Sequence, residues 1–197
     1  MPDNPVSIQI DFRAVYDEYF DFVWRSLRRL GVASSDIADA VQEVFLVVHR
    51  RLSEFEGRAR VTTWLYRICL RVASDRRRRA YVRREEPSDV EALEPTDIAM
   101  SSEDQLVKDE ELQLLENALG ALSLEQRAVF TLFEFERLSG DDIAATLEIP
   151  LGTVYSRLRL GREAFHKVMQ RELARRNSVP VVRTRSAASG SRRREND

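Results

Sequence analysis

Ser123-Leu-Glu-Gln-Arg-Ala-Val-Phe-Thr-Leu-Phe133, then Leu138-Ser-Gly140, Asp141-Asp-Ile-Ala-Ala-Thr-Leu147, Glu148-Ile-Pro150 and Leu151-Gly-Thr-Val-Tyr-Ser-Arg-Leu-Arg-Leu-Gly-Arg162: the fold is decided in this stretch. Ser123 and Gln126 stand at the two ends of a capping box, which closes free N–H groups at a helix start. Ala128, Val129, Leu132 and Phe133 then recur at helical spacing. A short turn at Leu138–Gly140 leads into Asp141–Leu147, and a second at Glu148–Pro150 into a helix running to about Ala174. Two short helices joined by a tight turn, the second rich in arginine, form a helix-turn-helix pattern. On the long helix Val154, Leu158, Gly161 and Phe165 share the inward face. Thr153, Ser156, Arg159 and Leu160 lie outward, with Arg157 and Arg162 on the flanks. The helix N-terminus offers unpaired N–H groups to a phosphate, and arginine can read guanine or grip the backbone.

Working outward, Leu112, Leu115, Leu119 and Leu122 mark a preceding amphipathic helix. Near the start of the chain Phe12, Val15, Tyr16, Tyr19, Val23, Leu27 and Leu30 repeat at helical spacing, with Gly31 as C-cap. Ser34 or Ser35 can cap the next helix, whose stripe is Ile37, Val41, Val44, Phe45, Val48 and Leu52. Its opposite face carries Asp39, Gln42, Glu43 and Leu46, suited to a basic partner. Thr62 or Thr63 can cap a third helix with Trp64, Leu65, Ile68, Cys69 and Val72 inward. The expected fold is all-α, with two small helical domains joined by a flexible acidic linker and no internal repeat. Composition agrees: the 197 residues are 43% hydrophobic and 32% charged, with only 7 Gly and 6 Pro. No apolar run is long enough for a membrane span and no leader pattern is visible, so the expected location is the cytoplasm.

The net charge of −2 conceals strong segregation. Arg58–Arg84 holds ten arginines against Asp75 alone, Glu85–Glu111 eleven acids against Lys108 alone, and Thr153–Arg176 seven bases against two acids. Arg67, Arg71, Ser74 and Arg78 fall on one helical stripe, where like charges repel unless phosphates neutralise them. With nearby aromatics and the loop bearing Phe55, Arg58 and Arg60, this stripe suits single-stranded nucleic acid.

Asp36-Ile-Ala-Asp-Ala-Val-Gln-Glu-Val-Phe45 resembles the region 2 signature of bacterial sigma factors, and Thr63-Trp-Leu-Tyr-Arg-Ile68 the opening of their −10-reading helix. Leu122-Ser-Leu-Glu-Gln-Arg127, Asp142-Ile-Ala144 and Ile149–Leu158 resemble region 4. The chain is similar to the extracytoplasmic-function (ECF) subfamily of the sigma-70 family, which keeps only regions 2 and 4. The resemblance implies region 2 over 10–85 and region 4 over 109–175, while composition marks an acidic linker over 86–108 and a basic disordered tail over 176–197. It implies that Asp39, Gln42, Glu43 and Leu46 meet the β′ clamp helices of core RNA polymerase, with the β flap as a further partner. Phe55, Arg58, Arg60, Trp64, Arg67 and Arg71, joined by Arg78 of the stripe, would hold the melted −10 strand of promoter DNA. Thr153, Ser156, Arg157, Arg159 and Arg162 would serve the −35 duplex, and an anti-sigma factor would silence the free protein. Three positions depart from the family pattern: Arg71 replaces a frequent Asn, Glu148 a frequent Gly, and Leu160 a common basic residue.

No catalytic residue, metal site or cofactor is expected. His49 and His166 stand alone on helices without a carboxylate pair or metal-ligand spacing, and Cys69, on an inward face, reads as core rather than redox sensor. The competing reading is a stand-alone helix-turn-helix regulator, which leaves the arginine stripe and the Gln42-Glu43 face unexplained.

Overall fold

Asp11 opens the first helix by accepting the Arg13 N–H at 3.3 Å, and Gly31 ends it in the left-handed conformation at φ 90°. The Gly31 N–H reaches the Arg28 carbonyl at 3.0 Å and the Val32 N–H the Leu27 carbonyl at 3.1 Å. This paired closure needs a residue that tolerates positive φ. The computed structural model describes residues 11–55, 57, 60–85 and 103–178. Its helices are α1 (Phe12–Leu30), α2 (Ile37–Arg51), α3 (Val61–Glu85), α4 (Glu103–Gly120), α5 (Leu124–Glu134), α6 (Gly140–Leu147) and α7 (Leu151–Ser178). Among the described residues there is no strand, and no helix is long and apolar enough to cross a membrane.

Helices α1, α2 and α3 pack on one another around Val23, Leu27, Val44, Val48, Leu65 and Cys69, all fully buried. Helices α4 to α7 enclose Leu119, Val129, Leu132, Ile143 and Val154. The expected stripes supply much of the core, although Phe12, Tyr19, Leu52, Trp64, Leu115, Phe133 and Phe165 are only half-buried and Tyr16 and Leu112 are exposed. The capping box is present: the Gln126 N–H donates to Ser123 Oγ at 3.2 Å, and the Ser123 N–H to Gln126 Oε1 at 3.1 Å.

Several boundaries differ from the sequence reading. A 3₁₀ turn over Ser34–Asp36 precedes α2, and neither serine supplies a side-chain cap. Helix α3 begins at Val61, ahead of the expected threonine caps, because the Arg60 carbonyl already accepts from Thr63 and Trp64. Helix α6 begins at Gly140, with Ser139 as its cap through the Asp142 N–H at 3.1 Å. The linker was expected to reach 108, yet α4 starts at Glu103. Residues 103–108 contain no helix breaker, and acids in a first turn favour the positive end of the helix dipole. Helix α7 continues to Ser178, past the expected domain end at 175, because nothing before Pro180 breaks it. The rest of the expected linker, 86–102, and of the expected tail, 179–197, lies outside the described residues.

The two helical groups do not stand apart. Their apolar residues form one continuous cluster, with α1 packed on α4 and α5, and α3 on α6. Tyr66, one turn before Cys69 on the flank of α3's inward face, is fully buried, and its hydroxyl donates to the Ala128 carbonyl of α5 at 3.1 Å. Burial pushes its phenol far above the usual tyrosine range.

Candidate nucleic-acid interface

On α2, Asp39, Gln42 and Leu46 are exposed, Leu46 at 51%. Glu43 is half-buried and engaged: Arg76 of α3 grips both its oxygens at 2.9 and 3.3 Å, and Arg79 approaches to 3.7 Å. The expected partner face therefore holds three exposed side chains and one that ties α2 to α3. A groove of about 860 Å³ joins this face to the arginine stripe, with Glu43 and Leu46 on one wall and Trp64, Arg67 and Arg71 on the other.

Phe55 lies against Trp64, ring centroids 5.1 Å apart, and both are half-buried. Arg60 and Arg71 are exposed. Arg78 pairs with Asp75 at 3.2 Å, which leaves it less free than the stripe implied. Arg58 lies outside the described residues. Arg67 reaches across the seam to Glu148 in the turn between α6 and α7, at 2.5 Å. Glu148 has φ 55°, a conformation that favours Gly over an L side chain by roughly 1 kcal/mol. Phe55, Arg60, Trp64 and Arg67 share a second cavity of about 510 Å³ with Asp142, Ala145 and Thr146 of α6. The expected strand-holding surface is therefore roofed by the helix-turn-helix.

On α7, Ser156 and Arg159 are exposed, while Thr153 and Arg157 are half-buried. Ser156 Oγ donates to the Thr153 carbonyl at 3.0 Å, and Arg159 pairs with Glu163 at 2.6 Å. Arg162 is committed inside its own module, with Nε 2.7 Å from Glu134 and its guanidinium 5.0 Å from the Phe133 ring centroid. This contact favours a tethering role for Arg162 over a DNA-facing one. Glu125, near the α5 N-terminus, has its carboxyl held below the ordinary glutamate range by backbone N–H bonding, then by the Ser123 hydroxyl, with Arg157 and Arg77 adding weaker pulls.

Sequence reasoning missed the groups that close the seam. Arg28 of α1 pairs with Glu116 of α4. Arg29 pairs with Glu136 at 2.9 Å and lies 4.2 Å over the Phe135 ring. Burial lowers the pKa of Arg29, and Glu136 opposes that shift. Only Tyr66 left a signal: Trp64-Leu65-Tyr66 is one bulky residue more than a single helix face can bury. Among the described residues no group of three His, Cys, Asp or Glu side chains could hold a metal.

Comparison with known proteins decides the family. Residues 15–83 match Sigma-70 region 2 and residues 112–165 match Sigma-70, region 4. The chain is 36% identical over 147 residues to the ECF RNA polymerase sigma-E factor of Escherichia coli (strain K12), covering 71% of this chain and 76% of that protein. The chain belongs to the ECF sigma factors. It is also 35% identical over 145 residues to the RNA polymerase sigma-H factor of Pseudomonas aeruginosa, covering 70% and 75% of the two chains. Its fold resembles CnrH, solved with the cytosolic domain of CnrY, at TM-score 0.60 and 20% identity over 82% of this chain and 88% of that one. It likewise resembles the sigma factor RpoE of Bartonella quintana, solved with the anti-sigma factor NepR, at TM-score 0.60 and 21% identity over 81% and 97%. The region 2 match places the first three helices of this ECF sigma factor in the family and removes the stand-alone regulator reading. As a sigma factor the chain directs promoter-specific initiation of transcription, the function that its sequence implied.

Proposed function

We propose that this ECF sigma factor rests in a closed form and works in an open one, with its DNA-reading residues shared between two modules. Core RNA polymerase binds through Asp39, Gln42 and Leu46, with Glu43 contributing once Arg76 releases it. The melted −10 strand is held by Phe55, Arg60, Trp64, Arg67 and Arg71, joined by Arg58. The −35 duplex docks on Thr153, Ser156, Arg157 and Arg159. The chemistry of RNA synthesis belongs to the polymerase, and the sigma factor contributes positioning alone.

One observation carries the opening step. Arg67 touches Glu148 at 2.5 Å, and Thr153 is only five residues further along the chain. At ~3.6 Å per residue this keeps the two proposed DNA surfaces within about 30 Å of each other, side chains included. The −35 and −10 elements, by their names, stand about 25 base pairs apart, about 85 Å of duplex at 3.4 Å per step. The closed form cannot span them, so promoter binding requires the seam to open. An anti-sigma partner would act by favouring the closed form, a reading supported by the fold shared with a sigma factor solved with the anti-sigma factor NepR. Transcription in vitro with core polymerase over a random promoter library tests the assignment. Start sites that depend on the added chain, with a shared −35 and −10 pattern, are expected; initiation unchanged by the chain would refute it.

A further inference from the structure

Arg127, in the first turn of α5, is 8% exposed, yet no carboxylate among the described residues pairs with it. It crosses the seam to the end of α1, where the guanidinium rests on Gly31 and leaves no room for a Cβ there. One nitrogen donates weakly to the Leu122 carbonyl at 3.4 Å, and Nε has no partner. The carbonyl end of α1 offsets part of the cost of burying this charge. Burial, and after it the charge of Arg77, lowers its pKa below the ordinary guanidinium value.

Arg127 opens onto a cavity of about 440 Å³ whose other lining residues all belong to the first module. Arg76 and Arg77 of α3 line it too. Arg76 is held by Glu43 and by the Asp36 carbonyl at 3.3 Å, whereas Arg77 has no ion-pair partner among the described residues. Asp36 is the single acid on the wall, and Tyr81 stands at the rim, 65% exposed. Arg127 has no ion pair and Arg77 only the electrostatic pull of Glu125, so the two guanidiniums can together grip a compact dianion through several N–H groups at once. The volume is that of a small-ligand site, and duplex DNA cannot reach so buried an arginine.

We propose that this cavity binds a phosphate-bearing small molecule of the nucleotide class, with its phosphates between Arg127 and Arg77 and its base against Tyr81. Arg127 is the one lining residue from the second module, so a ligand that it grips favours the closed form. Binding itself does not depend on the proposed sigma mechanism; a loss of core affinity on ligand addition does, so failure of the two is distinguishable.

Calorimetry on the full-length chain tests the site, with pyrophosphate, ADP and GDP as probes at fixed ionic strength. One saturable site is expected, weakened about tenfold or more by Arg77→Ala, as expected for loss of a charge-assisted contact. Arg127→Gln should abolish it, and Arg175→Ala, far along α7, should leave it unchanged. If Arg127→Gln fails to fold, the exposed Arg77→Ala decides alone. A nucleotide binding more tightly than pyrophosphate, with the excess lost in Tyr81→Ala, supports the base contact; equal affinities would overturn the nucleotide assignment. Absence of saturable binding, or equal weakening by Arg175→Ala, would overturn the site.

Discussion

Tyr66→Phe is the smallest change that should open the seam. The ring and its packing stay, and only the hydroxyl that donates to the Ala128 carbonyl at 3.1 Å is lost. That carbonyl lies within α5 and keeps its place in the helical ladder, so it is not orphaned, while the buried Thr131 hydroxyl beside the phenol only loses a neighbour. The loss is therefore the net value of one buried hydrogen bond, about 1 kcal/mol. In the open form Tyr66 meets water and its hydroxyl bonds there, so the penalty falls on the closed form alone. A shift of about 1 kcal/mol moves the closed–open equilibrium about fivefold. Dyes on cysteines introduced at Asp17 of α1 and Lys167 of α7, both exposed, would report the inter-module distance while buried Cys69 stays unlabelled. The low-transfer population should grow by about that factor, and the apparent dissociation constant for core polymerase should fall in parallel, because competence scales with the open fraction. An intact fold with neither quantity moved would refute the view that Tyr66 holds the modules together.

Leu46→Asp should weaken core binding while leaving the melting temperature within about 1–2 °C, since an exposed side chain carries little stability; unchanged affinity in a pull-down titration would remove α2 from that interface. It is a cleaner test than charge reversal of Glu43, which would set a third positive charge against Arg76 and Arg79. Arg157→Ala should cost about 1–3 kcal/mol of promoter affinity if it reads a base in the −35 element, with relaxed preference at one position in a footprint titration; equal binding to all sequences would reassign it. Glu148→Gly removes a strained backbone position and frees Arg67, so affinity of the free protein for a single-stranded −10 oligonucleotide should rise by up to about fivefold, the ceiling for an exposed ion pair of up to ~1 kcal/mol. Cys69 is fully buried and burial pushes its thiol well above the usual range, so thiol reagent at neutral pH should label it only at the rate of unfolding; prompt labelling of native protein would reopen a redox role.

The sequence made the separate helices legible because each one's own periodicity reports the face turned to its nearest neighbours. Helical spacing predicts Val44, Val48, Leu65 and Cys69 as core, and all four are fully buried. Gly31 and the Ser123–Gln126 box carry their geometry in residue type alone, for reasons local to one turn. The family signatures then identified which faces matter, and the Sigma-70 matches fall on the same two segments. What stayed hidden belongs to the seam. Tyr66, Arg28, Arg29 and Arg127 are each polar or amphipathic, and on their own helices they occupy positions that an isolated module would solvate. Their burial arises only when a second helical group lies over them, and no local period encodes that. The same cause explains Arg67. Read alone it is one member of a stripe of unopposed charges, while in the folded chain an acid from a turn 81 residues away neutralises it. That acid stands where the backbone prefers Gly, so local strain and long-range charge pairing meet in Glu148. A residue poorly suited to its own turn but well suited to a distant arginine is the expected signature of a contact that tertiary packing, and not local structure, has shaped.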